Sequence, residues 1–165
     1  MSLLYRMMKP VASSYPGTWF ILNIASRIDP TLARWTKGRF TFVSLIGKKL
    51  AILTSVGAKT GKIRNTPLIY IPDGENIILI ASRGGQPRNP GWYYNLLTNP
   101  KAKITVGEET RTYLAREVHG AERDALWKKA VALYSGYETY QKRAGERKIP
   151  VLVLTPFHEP HDSPP

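Results

Sequence analysis

The chain has 165 residues, enough for one domain with a substantial core and too few for two ordinary ones. It carries 24 Lys and Arg against 12 Asp and Glu, a net charge of +12, and residues 1–66 contain only one of the acids, Asp29. Such a charge attracts polyanions, whether nucleic acid, an anionic membrane surface or a phosphorylated cofactor. The absence of cysteine excludes disulfides, thiolate metal sites and a cysteine nucleophile.

Two short helices are predicted for an N-terminal region, residues 1–48. The apolar stretch that begins at Trp19 is too short and too polar to span a bilayer. A helix of this kind either lies on anionic lipid, as a peripheral membrane contact, or more often covers a core or a homodimer surface. Asp29 is a typical N-cap and Pro30 a typical first helical residue, so a second helix is predicted up to Gly38. These features are compatible with a cytoplasmic protein, at the inner face of the membrane if the helix binds lipid.

Short β-rich runs follow, separated by glycine-containing turns: residues 49–55, 63–72, 75–82, 102–107, 110–118 and 149–156. Asp73 and Gly74 between two apolar runs are the strongest hairpin signal in the chain. About six mostly antiparallel strands with few helical interruptions predict a mainly β fold with flanking helices, an α+β arrangement in which the sheet closes fully or partly into a barrel.

Three helices are predicted between these strands. The pair Asn89 and Pro90 predicts an N-cap and a first helical residue for a short helix. Apolar residues at helical spacing predict a second helix over residues 120–134, and a third short helix is expected to carry Tyr137 and Tyr140.

The predicted barrel domain covers residues 49–156, and residues 157–165 form a Pro-rich tail that is expected to be disordered. His158 and His161 could bind a metal ion weakly, but a solvated tail is the more frequent interpretation of this spacing. The sequence therefore predicts no metal site.

The connection between the first two predicted strands, VGAKTGKIRNTPL (56–68), combines Lys59, Lys62 and Arg64 with two glycines. It is not a phosphate-binding P-loop, because only three residues separate Gly57 from the Gly-Lys pair and no hydroxyl follows the lysine. Glycine lets a backbone approach an anion closely, and arginine offers a bidentate fork. The loop therefore predicts an anion site, although a solvated basic hairpin tip would have the same composition.

A second basic connection, ASRGGQPRNPGWYYNL (81–96), follows the fourth predicted strand and ends in a helix start. Arg83 and Arg88 lie beside its glycines, and a helix N-terminus offers free N–H groups to an anion. Two such connections at strand ends could bind one elongated anionic ligand.

Three segments in this order resemble the deazaflavin-dependent nitroreductase family, whose members use coenzyme F-420 and adopt a split β-barrel. They are LTSVGAKTGKIRNTPL, IASRGGQPRNPGWYYNLLTNPKAKITVG and LYSGYETYQKR. The resemblance extends over residues 50–156, and residues 1–49 match only loosely as a helical region.

The resemblance implies that Lys59 and Arg64 bind the phosphate and glutamate tail of the cofactor. Other residues of the first two segments would also bind or border it: Thr60, Gly61, Thr66, Pro67, Ser82, Arg83, Gly84, Trp92 and Asn95. Arg83 replaces the lysine that relatives often have and keeps its charge. Ile69 stands where close relatives have a tyrosine, so that ring contact is not carried over.

Three tyrosines of the third segment match family tyrosines that line the substrate side of the deazaflavin. Tyr134 is expected to contact the cofactor, and Tyr137, Tyr140 and Ser82 are the candidate catalytic residues, with a phenol as a proton donor. Their spacing alone would equally predict a buried helix face.

The chemistry that the resemblance implies is hydride transfer from reduced F-420 to a small-molecule acceptor, either a quinone, an enone or a nitroaromatic compound. Two alternatives remain open. One is a split-barrel reductase that binds FMN. The other is a basic module that binds single-stranded nucleic acid through three cations and three aromatic side chains, against which the three matched segments argue. These residues are Lys59, Lys62, Arg64, Trp92, Tyr93 and Tyr94.

Overall fold

The computed structural model describes residues 50–158, which form seven strands and three helices. The strands are β1 (Leu50–Val56), β2 (Ile63–Ile69), β3 (Ile71–Asp73), β4 (Asn76–Ile80), β5 (Lys101–Val106), β6 (Glu109–Val118) and β7 (Val151–Pro156). The helices are α1 (Gly91–Thr98), α2 (Gly120–Leu133) and α3 (Gly136–Ala144), and a short 3-10 turn covers Arg83–Gly85. The predicted N-terminal helices and residues 159–165 of the predicted tail lie outside the described residues.

The seven strands form one antiparallel sheet in the order β2-β1-β5-β6-β7-β4-β3. β2 and β3 lie at opposite edges of this sheet, yet only Tyr70 separates them in the chain. Six steps of about 4.8 Å would hold the edges of a flat sheet roughly 29 Å apart, which one residue cannot span. The sheet therefore curls into a barrel, as the sequence predicted. The run 63–72 was predicted as one strand, and it pairs with β1 in its first part and with β4 in its second.

Two cores explain which strands are continuously apolar. The inner core fills the barrel with alternate side chains of β4 and β7 and with α1, and it includes Ile77, Leu79, Leu152, Leu154, Trp92, Tyr93 and Leu96. The outer core lies between the sheet and helices α2 and α3, and it includes Ile78, Ile80, Val151, Val153, Leu126 and Ala130. Because successive side chains of a strand point to opposite faces, β4 and β7 are apolar on both. The outer face of β1 is exposed at Ile52, so more buried and less buried side chains alternate along this strand.

β2 and β3 run in the same direction through Tyr70, so they act as one strand in the topology, and antiparallel pairing sends the remaining successive connections to opposite ends of the barrel. One end, here called the basic end, carries the β1–β2 connection 57–62, the segment 81–90 and the start of α1. The other, here called the turn end, carries the tight turns at residues 74–75 and 107–108. The predicted hairpin at Asp73 and Gly74 is confirmed, and Gly74 takes the positive φ of 63° that the turn requires.

The predicted cap of α1 is wrong by one residue. The helix begins at Gly91 with Pro90 as its N-cap, and no side chain caps it. Asn89 precedes the N-cap, and its side-chain oxygen accepts a hydrogen bond from Arg147, 58 residues later. The side-chain oxygen that the local pattern predicted to cap the helix is thus bonded to a guanidinium far away in the sequence.

Candidate cofactor-binding site

The connection 57–62 is a compact turn closed by its own backbone. The amide of Gly57 donates to the carbonyl of Lys62 at 2.9 Å, and the amide of Gly61 donates to the carbonyl of Gly57 at 2.8 Å. Gly61 has a φ of 65°, which only glycine adopts without cost. A Cβ on Gly57 would lie 3.0 Å from the Thr60 hydroxyl and 3.8 Å from the Arg64 guanidinium. The glycines thus allow the basic side chains to pack around the turn.

The register of β2 sorts the predicted residues by face. Arg64 lies opposite the buried Ser55, and Thr66 lies opposite the buried Leu53. Directly opposed side chains of an antiparallel pair share a face, so Arg64 and Thr66 lie on the face that lines the barrel interior. Pro67 lies opposite the exposed Ile52 and is on the outer face. The face of Arg64 and Thr66 therefore suits a ligand at the basic end, whereas the face of Pro67 does not.

Asn95 on α1 joins the helix to the basic turn. Its side-chain oxygen accepts from the Ala58 amide at 3.0 Å, and its side-chain nitrogen donates to the buried Ser55 hydroxyl at 3.4 Å. Asn95 lies one helical turn from the start of α1, roughly 6 Å along the axis. The turn 57–62 is therefore bonded to the first turns of the helix into which the segment 81–90 leads.

The segment 81–90 contains three consecutive residues in the left-handed conformation: Arg83 at φ 48°, Gly84 at 65° and Gly85 at 82°. An L-residue with a side chain adopts such a φ rarely, so Arg83 is held in a strained backbone. Gly85 packs directly on α3, because a Cβ there would lie 2.5 Å from the carbonyl oxygen of Tyr140. Helix α3 therefore forms the base on which this turn rests.

Arg147 makes the polar contacts that hold the same segment. Its guanidinium donates to the carbonyls of Ser82 at 2.9 Å and Gln86 at 3.0 Å, to the carbonyl of Ala81 at 3.4 Å, and to the side chain of Asn89. Partial burial, and in addition the neighbouring charge of Arg83, lower the pKa of Arg147. Sequence reasoning missed Arg147, because its acceptors lie 58–66 residues away and no local motif marks them.

Two predicted ligand contacts are only partly accessible. Trp92 is only 7% exposed and belongs to the inner core beneath the basic end. Ser82 is half-buried at the start of the 3-10 turn, and its carbonyl is taken by Arg147. The part of Trp92 that could border a ligand is therefore small, and the assignments of both residues remain predictions.

The three tyrosines form a buried aromatic cluster in the outer core. Their ring centroids lie 5.3 to 6.2 Å apart with edge-to-face geometry, and the hydroxyls of Tyr134 and Tyr140 are 3.0 Å apart. Burial raises the pKa of Tyr137, so its phenol keeps its proton more firmly than a free tyrosine does. Within residues 50–158 the cluster is packed like a core, and its assignment to a substrate pocket remains a prediction.

Charge separates the two ends of the barrel. Two segments at the basic end, the connection 57–62 with the start of β2 and the segment 81–90, contain no acidic residue and five cations: Lys59, Lys62, Arg64, Arg83 and Arg88. The turns at the other end are flanked by four acids: Asp73, Glu75, Glu108 and Glu109. An elongated anion is therefore attracted to one end of the barrel and repelled from the other.

A cavity of about 310 Å³ opens at the turn end, between Tyr70, Tyr113 and Arg111. Glu75 and Glu109 line it, and Glu109 pairs with Arg111 at 2.6 Å. It contains none of the predicted cofactor-binding residues and its carboxylates disfavour an anionic tail. The cavity and the predicted site are thus different places in the fold.

Comparisons of sequence and of structure both find F-420-dependent reductases among the proteins similar to this chain. Residues 25–156 match the family model of F-420H(2)-dependent quinone reductases. An F-420H(2)-dependent quinone reductase of Mycobacterium tuberculosis is 37% identical over 132 residues, which cover 78% of this chain and 88% of the relative.

Two solved structures share the fold. An F-420-H2-dependent reductase superposes with a TM-score of 0.60 at 36% identity, covering 64% of this chain and 93% of its own. A domain-swapped dimer superposes with a TM-score of 0.62 at 31% identity, covering 84% of this chain and 98% of its own.

Proposed function

The chain belongs to the F-420H(2)-dependent quinone reductase family, and on this premise we propose that it transfers a hydride from reduced F-420 to a quinone. Coenzyme F-420 is the cofactor of this family, so the cofactor and the split-barrel fold that the sequence predicted are confirmed. The observation that carries the proposal is the basic end of the barrel, where two segments with five cations and no acid are both linked to α1.

The residues at the basic end fit a cofactor with a phosphate and a carboxylate tail. Lys59 and Arg64 are exposed on and beside the turn 57–62, and Arg83 is exposed on the second connection. An arginine fork binds phosphate or carboxylate through two parallel hydrogen bonds, and a lysine acts as a point charge. We assign the tail to these three side chains, with Thr60 and Gly61 shaping the turn between them.

When bound, F-420 in its reduced form supplies a hydride, and the protein has to position the acceptor and exclude water. The buried side of α1, with Trp92 and Leu96, closes the barrel interior beneath the basic end. Ser82 is the candidate catalytic residue that lies within the basic end itself. Tyr137 and Tyr140 would have to act from the outer core, and we keep them as candidates that substitution can test.

We propose that enones and nitroaromatic compounds are also reduced, because each shares with quinones an electron-poor conjugated system that accepts a hydride. A panel with one acceptor of each class, measured at saturating cofactor, would check this. Reduction of the quinone alone would restrict the proposal to the acceptor that the family name gives.

A homodimer is proposed from the domain-swapped dimer formed by the relative that is 31% identical. Light scattering on the full chain should give twice the mass of 18.6 kDa, and a monomer at all concentrations would contradict the homodimer.

Among the described helices none is long and apolar enough to span a membrane. Peripheral contact through residues 1–48 remains a proposal, for which binding to anionic vesicles is the measurement.

The cofactor assignment is tested by titration with three ligands: oxidised F-420, a deazaflavin that lacks the phosphate and glutamates, and FMN. We expect F-420 to bind most tightly, and Lys59→Ala or Arg64→Ala to weaken F-420 binding about ten- to a hundredfold at low salt. Neither substitution should change binding of the ligand without a tail. Added salt should weaken the wild type more than the variants, since screening acts on the charges that the variants lack.

Lys128 is the matched control for net charge. It is exposed on α2, and its neighbour Lys129 pairs with Asp73 at the turn end. Lys128→Ala should bind F-420 as the wild type does. Equal or tighter binding of FMN would favour the flavin alternative, whereas equal losses in all three variants would indicate a diffuse basic surface, as a nucleic-acid-binding module would have.

A further inference from the structure

Arg147 contacts the second basic connection on both sides of its strained turn. Its guanidinium donates to the carbonyls of Ala81 and Ser82, before the turn, and to the carbonyl of Gln86, after it. A fourth hydrogen bond reaches the side chain of Asn89, just before α1. One side chain therefore connects the end of β4, the turn and the approach to α1.

The turn needs such support because its backbone is unfavourable. Arg83 is the one residue other than glycine that has a positive φ among residues 50–158. Two backbone hydrogen bonds close the turn, from the Gly85 amide to Ser82 and from the Gln86 amide to Arg83. Conformations of this kind persist only where the surrounding structure fixes them, and they are frequent at ligand sites.

The contacts of Arg147 also require an arginine. Three nitrogens in one plane donate to four acceptors, an arrangement that the single ammonium of lysine cannot reproduce. The acceptors are carbonyl oxygens and one amide oxygen, so none of them neutralises the charge. Arg147 thus adds to the positive charge of the basic end while its donors are engaged in holding the backbone.

We propose that Arg147 is the positioning residue for the tail-binding turn: it fixes the left-handed Arg83–Gly85 backbone so that Arg83 is ready to bind the anionic tail of the cofactor. The proposal rests on the function proposed above. It predicts that Arg147→Lys, which keeps the charge but loses the planar fork, loosens the turn and weakens binding of the cofactor tail.

The first experiment needs no cofactor. Hydrogen exchange of the Gly85 and Gln86 amides should be at least several-fold faster in Arg147→Lys than in the wild type, because both amides depend on the closed turn. Lys148→Ala is the matched control, since this neighbouring exposed cation faces Asp124 at 3.6 Å and not the turn. Unchanged exchange in Arg147→Lys would overturn the positioning role, whether or not the protein binds F-420.

The second experiment measures binding of oxidised F-420 and of the deazaflavin without a tail. Arg147→Lys should weaken F-420 binding about tenfold although the charge is kept, because the turn is no longer preorganised. Binding of the tail-free ligand should stay within about twofold. The salt dependence should match that of the wild type, because no charge has been removed.

A double-mutant cycle separates positioning from direct contact. If Arg147 acts through Arg83, the variant that combines Arg147→Lys with Arg83→Ala should bind F-420 as Arg83→Ala alone does. Multiplied losses would show that Arg147 contacts the ligand independently and would overturn the proposal. Wild-type binding that shows no preference for the tailed ligand would instead refute the proposed function, while the exchange experiment would still decide the role of Arg147 in the turn.

Discussion

Gly85 offers a sharp test of the packing between the second basic connection and helix α3. In Gly85→Ala the new Cβ would lie 2.5 Å from the Tyr140 carbonyl oxygen and 2.7 Å from the Arg143 Cβ, at a φ of 82°. Gly74→Ala is the matched control. Gly74 has a φ of 63°, and its Cβ would meet nothing within 4 Å. Both substitutions place a side chain at a positive φ, but only Gly85→Ala brings the new methyl group into close contact with other atoms.

The expected magnitudes follow from these two effects. A side chain in the left-handed region costs about 1–2 kcal/mol, which applies to both variants. Forcing a methyl group against backbone atoms of a packed helix adds about 1–3 kcal/mol to the cost of Gly85→Ala. At roughly 2–4 °C per kcal/mol for a chain of this size, Gly85→Ala should melt about 2–12 °C below Gly74→Ala.

Thermal unfolding followed by circular dichroism measures the stability difference, and titration with F-420 measures its consequence at the site. Gly85→Ala should also weaken cofactor binding, because the turn that carries Arg83 is displaced from α3. Gly74→Ala should not, since Gly74 lies at the turn end. Equal melting temperatures for the two variants would refute the packing argument, and normal binding by a destabilised Gly85→Ala would remove this turn from the site.

Two further predictions concern side-chain hydrogen bonds. Asn95→Ala should lower stability by about 1 kcal/mol and weaken F-420 binding several-fold, because the turn 57–62 loses its link to α1; a stable variant with unchanged binding would contradict this. Tyr140→Phe should cost about 0.5–1.5 kcal/mol in denaturant unfolding by removing the bond to Tyr134, whereas Tyr137→Phe should be nearly neutral because no hydrogen bond to the Tyr137 hydroxyl occurs within residues 50–158. If either tyrosine variant loses turnover while its melting temperature and cofactor affinity are unchanged, the phenol acts in catalysis and the core interpretation is wrong.

The strands could be predicted from the sequence because their signals are local. The hairpin at Asp73 and Gly74 needs one residue with a positive φ between two apolar runs, and both parts are visible in the sequence. The apolar run of β7 is continuous since both of its faces are buried. The division of the run 63–72 at Tyr70 could not be predicted, because it results from barrel closure and not from a local turn signal.

The candidate site could be predicted only in part, because some of its contacts join residues that are far apart in the sequence. The glycines and cations of the two connections are adjacent in sequence, so their clustering could be predicted. Arg147 acts on residues 58–66 positions away, and Asn89 was assigned to a helix cap because the local pattern was complete without Arg147. Tyr134, Tyr137 and Tyr140 have a spacing that is compatible with a core and with a pocket, and only packing distinguishes the two.

The order in which the strands are connected places basic segments of the chain at one end of the barrel. Because β2 and β3 run in the same direction, the connections on either side of them alternate between the two ends of the barrel, so a sequence whose alternate connections are basic gathers its cations at one end. Here the β1–β2 connection and the segment after β4 are basic, while the turns after β3 and β5 are flanked by acids. An anion is therefore attracted to the end where α1 begins, and Asn95 and Arg147 fix the two backbone segments that we propose bind the anionic tail of the cofactor. Because the partners of both residues are backbone groups and neutral side chains rather than carboxylates, they order the site without neutralising it.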